Sequence, residues 1–334
     1  MSSLLDRLGA LFLPWDRSNA PGLAIGVALH GQVVFRRGFG MASLESGVAL
    51  TPTTKLRIGS TSKHFTGLLA LLLAEEGKLD LDQPIRTVLP ELTGPGGEPT
   101  IRQLLTHQGG SRCYLDLGFI ARGMATPPAG AAFAAQRRQR SRNFAPGTAS
   151  IYNNGGYHLV SMAIEKAGGA PFEAQLLKRF FEPLGMRDTL SLPSDHIVVP
   201  GMAGLHVPTP DGGWRRGLFP SEEMRGEGAI VSTVDDMMRW AGHLHRRDQF
   251  GTTQTWRQLV AAPESIPGRP GIYALGLMVQ TYRGLRVVHH AGGVIGGSSQ
   301  MLTFPEEGLD IVILANGALG ADPTALAEQV ADLV

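Results

Sequence analysis

A chain of 334 residues with a formal net charge of +1 and 18% charged residues lacks the basic stripe or patch of a nucleic-acid surface. Its 43% hydrophobic content is that of a globular protein able to bury a sizeable core, as one large domain or two modest ones. The single cysteine, Cys113, excludes an intrachain disulfide, and no apolar run reaches the ~18 residues a membrane span needs.

In chain order, Leu4 to Phe12 reads as a first helix. Asp6 and Arg7 precede a short apolar stretch that Pro14 ends, a poor signal peptide. That points to a cytoplasmic chain, or to a periplasmic one whose leader has been removed. Leu23 to Leu29 and Val33 to Arg37 are β-rich runs separated by His30-Gly31-Gln32, a hairpin with glycine in the turn. Thr53 to Ile58 is a short strand feeding Gly59. Phe65 to Ala74 is a helix, apolar nearly all round and so central and buried, closed by Gly77.

From about Leu79 to Pro220 helical patterns dominate: Ile101 to Thr106, Tyr157 to Ala167 ended by Gly168-Gly169, and Phe172 to Phe181. Ser232 or Thr233 caps a further helix to about His245, with Asp235 and Asp236 in its first turn. The C-terminal part returns to strands at Ala274 to Thr281, Leu285 to His290, Ser298 to Phe304 and Leu309 to Ala315. Asp322-Pro323 then starts a last helix. Consecutive strands on short turns are antiparallel. Two N-terminal and several C-terminal strands bracketing a helical middle therefore predict one antiparallel sheet built from both chain ends, flanked by helices, with the middle as an inserted lobe. The cleft between sheet and lobe is the default ligand site.

Three groups of residues carry chemistry. Ser60-Thr61-Ser62-Lys63 lies where a strand turns into the buried helix, and residues three apart on a helix share a face. A serine hydroxyl is a nucleophile once a base takes its proton. Lysine is such a base when burial lowers its pKa from about 10.4 towards neutrality. The plain alternative is a capping serine, Ser60 or Ser62, beside a surface lysine. Tyr152-Asn153-Asn154-Gly155 precedes a helix; a tyrosine near a cation exchanges protons, and the amide of Asn154 hydrogen-bonds a substrate carbonyl. Here the alternative is a helix cap, Asn153 or Asn154, next to a packed aromatic. His289-His290-Ala291-Gly292-Gly293 ends a predicted strand, where glycines admit a substrate backbone and an N–H faces an oxyanion. The alternative is a turn with two ordinary histidines.

S-x-x-K, Y-x-N and H-x-G in this order are variants of the signature of β-lactamases and penicillin-binding proteins. Around them stand Ile58-Gly59, Leu104-Leu105-Thr106-His107, Phe144-Ala145-Pro146-Gly147, Pro183-Leu184-Gly185-Met186 and Gly228-Ala229-Ile230-Val231-Ser232-Thr233. Over roughly residues 20 to 330 the chain resembles the class C β-lactamase-like serine hydrolases, which include D-aminopeptidases, D,D-carboxypeptidases and family VIII esterases. Thr106 to Tyr114, with Phe65, look like the D-aminopeptidase version.

The resemblance implies an α/β, β-lactamase-like fold: one catalytic domain over 1–334, with about 79–220 contributing an all-helical lobe. It implies acyl transfer without metal or other cofactor on a small-molecule or peptide-like substrate. Ser60 would be the nucleophile, Lys63 and Tyr152 would share the proton traffic, and Asn154 would hold the substrate amide. The N–H groups of Ser60 and Gly293 would form the oxyanion hole, with His290 and Gly292 beside it. His290 replaces the lysine of the β-lactamases and is neutral at pH 7, which favours amidase, D-aminopeptidase or esterase activity over β-lactam hydrolysis.

The rivals are weaker. An α/β-hydrolase needs G-x-S-x-G, which is missing. His243 and His245, like His289 and His290, have no H-E-x-x-H or carboxylate partner at ligand spacing. A catalytically silent scaffold on this fold is the alternative from another class. Nothing in the chain speaks to oligomeric state.

Overall fold

The computed structural model describes residues 3–123, 125–218, 221–247, 249–317 and 321–334. Helix α1 (Leu4–Phe12) starts at a capping box between Ser3 and Asp6. Strands β1 (Leu23–Leu29) and β2 (Gln32–Phe39) form the predicted hairpin. Its turn residues are His30 and Gly31, both at positive φ (49° and 78°), the twist two-residue hairpins favour. Short pieces follow: β3 (Met41–Ser43), β4 (Val48–Ala49) and β5 (Leu56–Arg57). A 3₁₀ turn over Gly59–Ser62 then leads into α2 (Lys63–Glu75), whose residues Lys63 to Leu73 are all buried.

The middle contributes α3 (Ile101–Leu105), α4 (Tyr114–Arg122), α5 (Ala131–Arg137), α6 (Asn154–Gly168) and α7 (Phe172–Leu176), the last running on as a π turn to Phe181. Strands β6 (Leu190–Ser191), β7 (His206–Pro208) and β8 (Trp214–Arg216) also fall in it, so 79–220 is not helical throughout. They are two or three residues long, too short for an alternating pattern, and β6 pairs only with a strand outside the stretch. The expected boundary at Pro220 lies outside the described residues. Then come β9 (Ile230–Ser232), α8 (Val234–Arg246), capped by Thr233 Oγ1, and α9 (Thr253–Leu259). The chain closes with β10 (Met278–Tyr282), β11 (Leu285–Val294), β12 (Gly297–Phe304), β13 (Leu309–Ala315) and α10 (Pro323–Leu333). The strand expected from Ala274 starts four residues later. Ala274 N–H bonds Leu277 O in a tight turn, with Gly276 at φ 90°.

Among the described residues, the main sheet has the order β10-β11-β12-β13-β1-β2, antiparallel throughout, and β5-β9-β6 form a smaller sheet. The period of two sorts its faces. Leu23, Ile25, Val27, Ile311 and Ile313 meet Leu8, Phe12, Leu326 and Val330 of the terminal helices. Ala24, Ala28, Val312 and Leu314 join the larger core with α2, α6 and α8. Helix α2 is thus sandwiched between sheet and lobe, and its N-terminus is held at their junction. No helix among the described residues is long and apolar enough to cross a membrane.

Candidate active site

The 3₁₀ turn that carries Ser60 is fastened to the sheet. Thr61 Oγ1 bonds Ser299 Oγ (2.9 Å) and His290 O (3.3 Å), and Ser299 Oγ donates to Ile58 O (2.7 Å). Ser62 Oγ accepts from Ile230 N (3.1 Å) and caps no helix. Ser60 is half-buried and caps nothing either. The capping alternative for this tetrapeptide does not hold.

Nor is Lys63 a surface lysine, since none of it reaches solvent. Its Nζ lies 3.1 Å from Ser60 Oγ, 2.8 Å from Asn154 Oδ1 and 2.6 Å from Glu227 O. The rings of Tyr152 and Tyr157 flank it at 4.8 and 5.3 Å. Burial removes water that would solvate the ammonium and lowers its pKa to about 7; the nearby Glu227 carboxylate opposes that shift.

Tyr152 is 43% exposed. Crowding by protein atoms pushes its phenol above the ordinary value, opposed by an interaction with the Ser60 hydroxyl. Asn153 heads α6 without a side-chain cap; its Nδ2 donates instead to Ser111 O (2.6 Å). Asn154, on the first turn of α6, gives its oxygen to Lys63 and leaves its NH₂ without a partner among the described residues. Ser60, Lys63, Tyr152 and Asn154 therefore come together from α2's N-terminus and the lobe.

The third group differs from expectation in two places. His290 is 3% exposed, and both ring nitrogens are engaged: Nδ1 with Ala291 O (2.5 Å) and Nε2 with Tyr273 OH (2.8 Å). A carbonyl can only accept, so Nδ1 carries the proton and Nε2 accepts from Tyr273. Burial, together with the Lys63 charge, lowers His290 to about 3 and keeps it neutral. Buried and with both nitrogens engaged, it offers a substrate no free donor. Gly292 is likewise a packing residue, since a Cβ there would lie 1.9 Å from Ile58 O. Gly293 is exposed, with open space around its Cα and its N–H close to Gly59. Its position fits an oxyanion donor. His289 is spent on Gln280 and Gln300 (2.6 and 3.3 Å).

Sequence patterns miss a second layer. Glu227, 1% exposed, receives Tyr114 OH (2.5 Å), the Arg225 N–H (3.2 Å) and His158 Nδ1 (3.2 Å). Burial pushes its carboxyl up, but His158 and these hydrogen bonds outweigh that and hold it below the ordinary value. His107, buried, and Tyr273, partly buried, back the Tyr152 ring. Of these residues only His107, in Leu104-Leu105-Thr106-His107, and Tyr114, at the end of the Thr106 to Tyr114 stretch, had a signal. Glu227, between two glycines ahead of β9, has none. Among the described residues no three His, Cys, Asp or Glu side chains gather as a metal site.

The Beta-lactamase family model matches residues 6–334. The D-aminopeptidase of Cereibacter sphaeroides is 30% identical over 334 residues, covering 96% of this chain and 60% of that protein. The Brucella canis D-aminopeptidase is 29% identical over 315 residues, covering 92% and 58%. The chain thus spans about three-fifths of the length of these curated relatives. An octameric penicillin-binding protein homologue from Pyrococcus abyssi has the same fold, at TM-score 0.85 and 26% identity over 98% of this chain and 76% of that one. A D-amino acid amidase from Ochrobactrum anthropi SV3, solved with D-phenylalanine, shares the fold at TM-score 0.83 and 22% identity over 99% of each chain. With a match that leaves out only the extreme N-terminus, the chain belongs to the beta-lactamase family.

Proposed function

We propose that this protein is a serine hydrolase that cleaves amides or esters through an acyl-enzyme on Ser60, with D-amino acid amides and short D-peptides as its substrate class. One observation carries the reading: a fully buried Lys63 Nζ held 3.1 Å from Ser60 Oγ. A neutral amine has two N–H groups and one lone pair. The oxygens of Asn154 and Glu227 accept the two N–H, at 2.8 and 2.6 Å, and the lone pair is left for the Ser60 proton.

Ser60 Oγ then bonds the substrate carbonyl carbon, and the oxyanion lies against the N–H groups of Ser60 and Gly293. The leaving amine takes up the proton through Lys63 and Tyr152, whose titrations are coupled. Water attacks the acyl-enzyme along the reverse proton path and releases the acid. Asn154 Nδ2 is the free donor for a substrate carbonyl. The substrate class draws on the D-aminopeptidase relatives and on the neutral His290, which supplies no fixed cation for a carboxylate such as that of a β-lactam.

The test compares D- and L-alanine p-nitroanilide and nitrocefin with wild type and Ser60→Ala. The reading expects kcat/KM for the D-anilide at least ~10-fold above the other two, and loss of several orders of magnitude in Ser60→Ala. Preference for the L-anilide or for nitrocefin would overturn the substrate class. Full activity in folded Ser60→Ala would overturn the mechanism.

A further inference from the structure

His107 sits just past α3 in a left-handed conformation, φ +61°. Glycine is the usual residue there, because a Cβ is strained at positive φ. A histidine kept in that conformation and 97% out of solvent needs another reason to be there. The reason is visible on both sides of one residue. The His107 carbonyl accepts the Ile151 N–H at 3.1 Å, and His107 Nδ1 accepts the Asn153 N–H at 3.1 Å. The residue between them is Tyr152. The imidazole also lies against the Tyr152 ring, centroid to centroid 4.2 Å, and against Tyr273 at the same distance on another side. Tyr273 is itself fixed by its bond to His290 Nε2 (2.8 Å).

We propose that His107 is the positioning residue for Tyr152: its carbonyl and its Nδ1 grip the chain on either side, and its ring braces the phenol over Lys63. The inference rests on the reading of Tyr152 as a partner in proton transfer. Burial in the first place, then the charge of Lys63 and the neighbouring His290, keep the imidazole well below its ordinary pKa. It is therefore neutral, and Nδ1 is free to accept. The Nε2–H has no hydrogen-bond partner in this aromatic nest, so the ring serves as an acceptor and a wedge rather than as an acid. A loop tyrosine that is 43% exposed would otherwise sample several rotamers, and proton transfer falls off steeply with misplacement of the donor.

Two variants divide the grip. His107→Asn places an oxygen about where Nδ1 stood and tolerates the left-handed backbone, but removes the ring. His107→Phe keeps a ring and loses the acceptor. Each is measured alone and combined with Tyr152→Phe, reading kcat and KM for p-nitrophenyl acetate and the thermal midpoint. The expected result is a ~10- to 100-fold fall in kcat for each single variant with KM within about threefold. In the Tyr152→Phe background the same change costs less than about twofold more, because the group it positions is gone. Equal losses in both backgrounds, or wild-type kcat in the folded variants, would overturn the inference. Failure of both variants to fold would assign His107 to the fold rather than to Tyr152 and would overturn it too. If Tyr152→Phe alone keeps wild-type kcat, the role of Tyr152 falls and this inference falls with it. A crippled Tyr152→Phe with additive His107 effects sinks the inference alone.

Discussion

Lys63 Nζ stands 3.1 Å from Ser60 Oγ with no access to solvent, and its other two directions end on Asn154 Oδ1 and Glu227 O. Two elements meet to make this contact. The 3₁₀ turn brings Ser60 to the first turn of α2, and α6 of the lobe closes over the amine.

The contact sets the pH dependence. Burial lowers Lys63 to about 7, and only the free amine accepts the serine proton. Acylation should therefore rise about tenfold per pH unit below that value and level off above it. His290, lowered to about 3, adds no limb near neutrality, and Tyr152 is pushed up and away from it. The check is kcat/KM for a neutral ester between about pH 5 and 9, where the substrate does not titrate. A flat profile, or a limb in the carboxylate range, would contradict the assignment of Lys63.

Glu227 carries the buried negative charge that opposes the lowering of Lys63. Glu227→Gln keeps the backbone carbonyl that accepts Nζ and removes that charge. The acid limb of the rate profile should move to lower pH, so the variant keeps a larger share of its maximum at about pH 6. The hydrogen bonds from Tyr114 and His158 would lose their anionic acceptor, a cost of about 1–3 kcal/mol read from urea melts. An unmoved limb, or one moved upward, would show that the carboxylate does not act on Lys63.

Two adjacent glycines should behave differently. In Gly292→Ala the new methyl meets Ile58 O at 1.9 Å, and the overpacking should cost about 1–3 kcal/mol or more. In Gly293→Ala it meets nothing within 4 Å, and stability should change by less than about 0.5 kcal/mol. Denaturant midpoints of the two variants test this. Equal losses would mean that β11 does not press on the Ser60 turn as described.

Much of this was legible in the sequence for identifiable reasons. The strands Leu23–Leu29 and Leu309–Ala315 are long apolar runs bounded by turn residues, and both match their expected limits. Ser60 and Lys63 are three residues apart at a helix start, so local geometry alone makes them neighbours. Tyr152 and Asn154 stood out as polar residues ahead of a helix, but joining them to Ser60 and Lys63 depended on the family resemblance, because no local rule brings the lobe onto α2. His290 misled for a physical reason: a strand end before two glycines suggests an open edge, yet Tyr273, seventeen residues upstream, closes over it. Glu227 and its partners Tyr114 and His158 come from three separate segments, and only the folded chain joins them. Strands as short as Leu190–Ser191 are set by their partner strand rather than by their own pattern.

Ser60 as the activated nucleophile is tested by covalent labelling read by intact-protein mass. Wild type is treated with a fluorophosphonate at about pH 8, where Lys63 is a free amine. The expected result is one adduct per chain, mapped to the peptide containing Ser60, slower below about pH 6 and missing in folded Ser60→Ala and Lys63→Ala. An adduct on another serine, or undiminished labelling of folded Ser60→Ala, would contradict it.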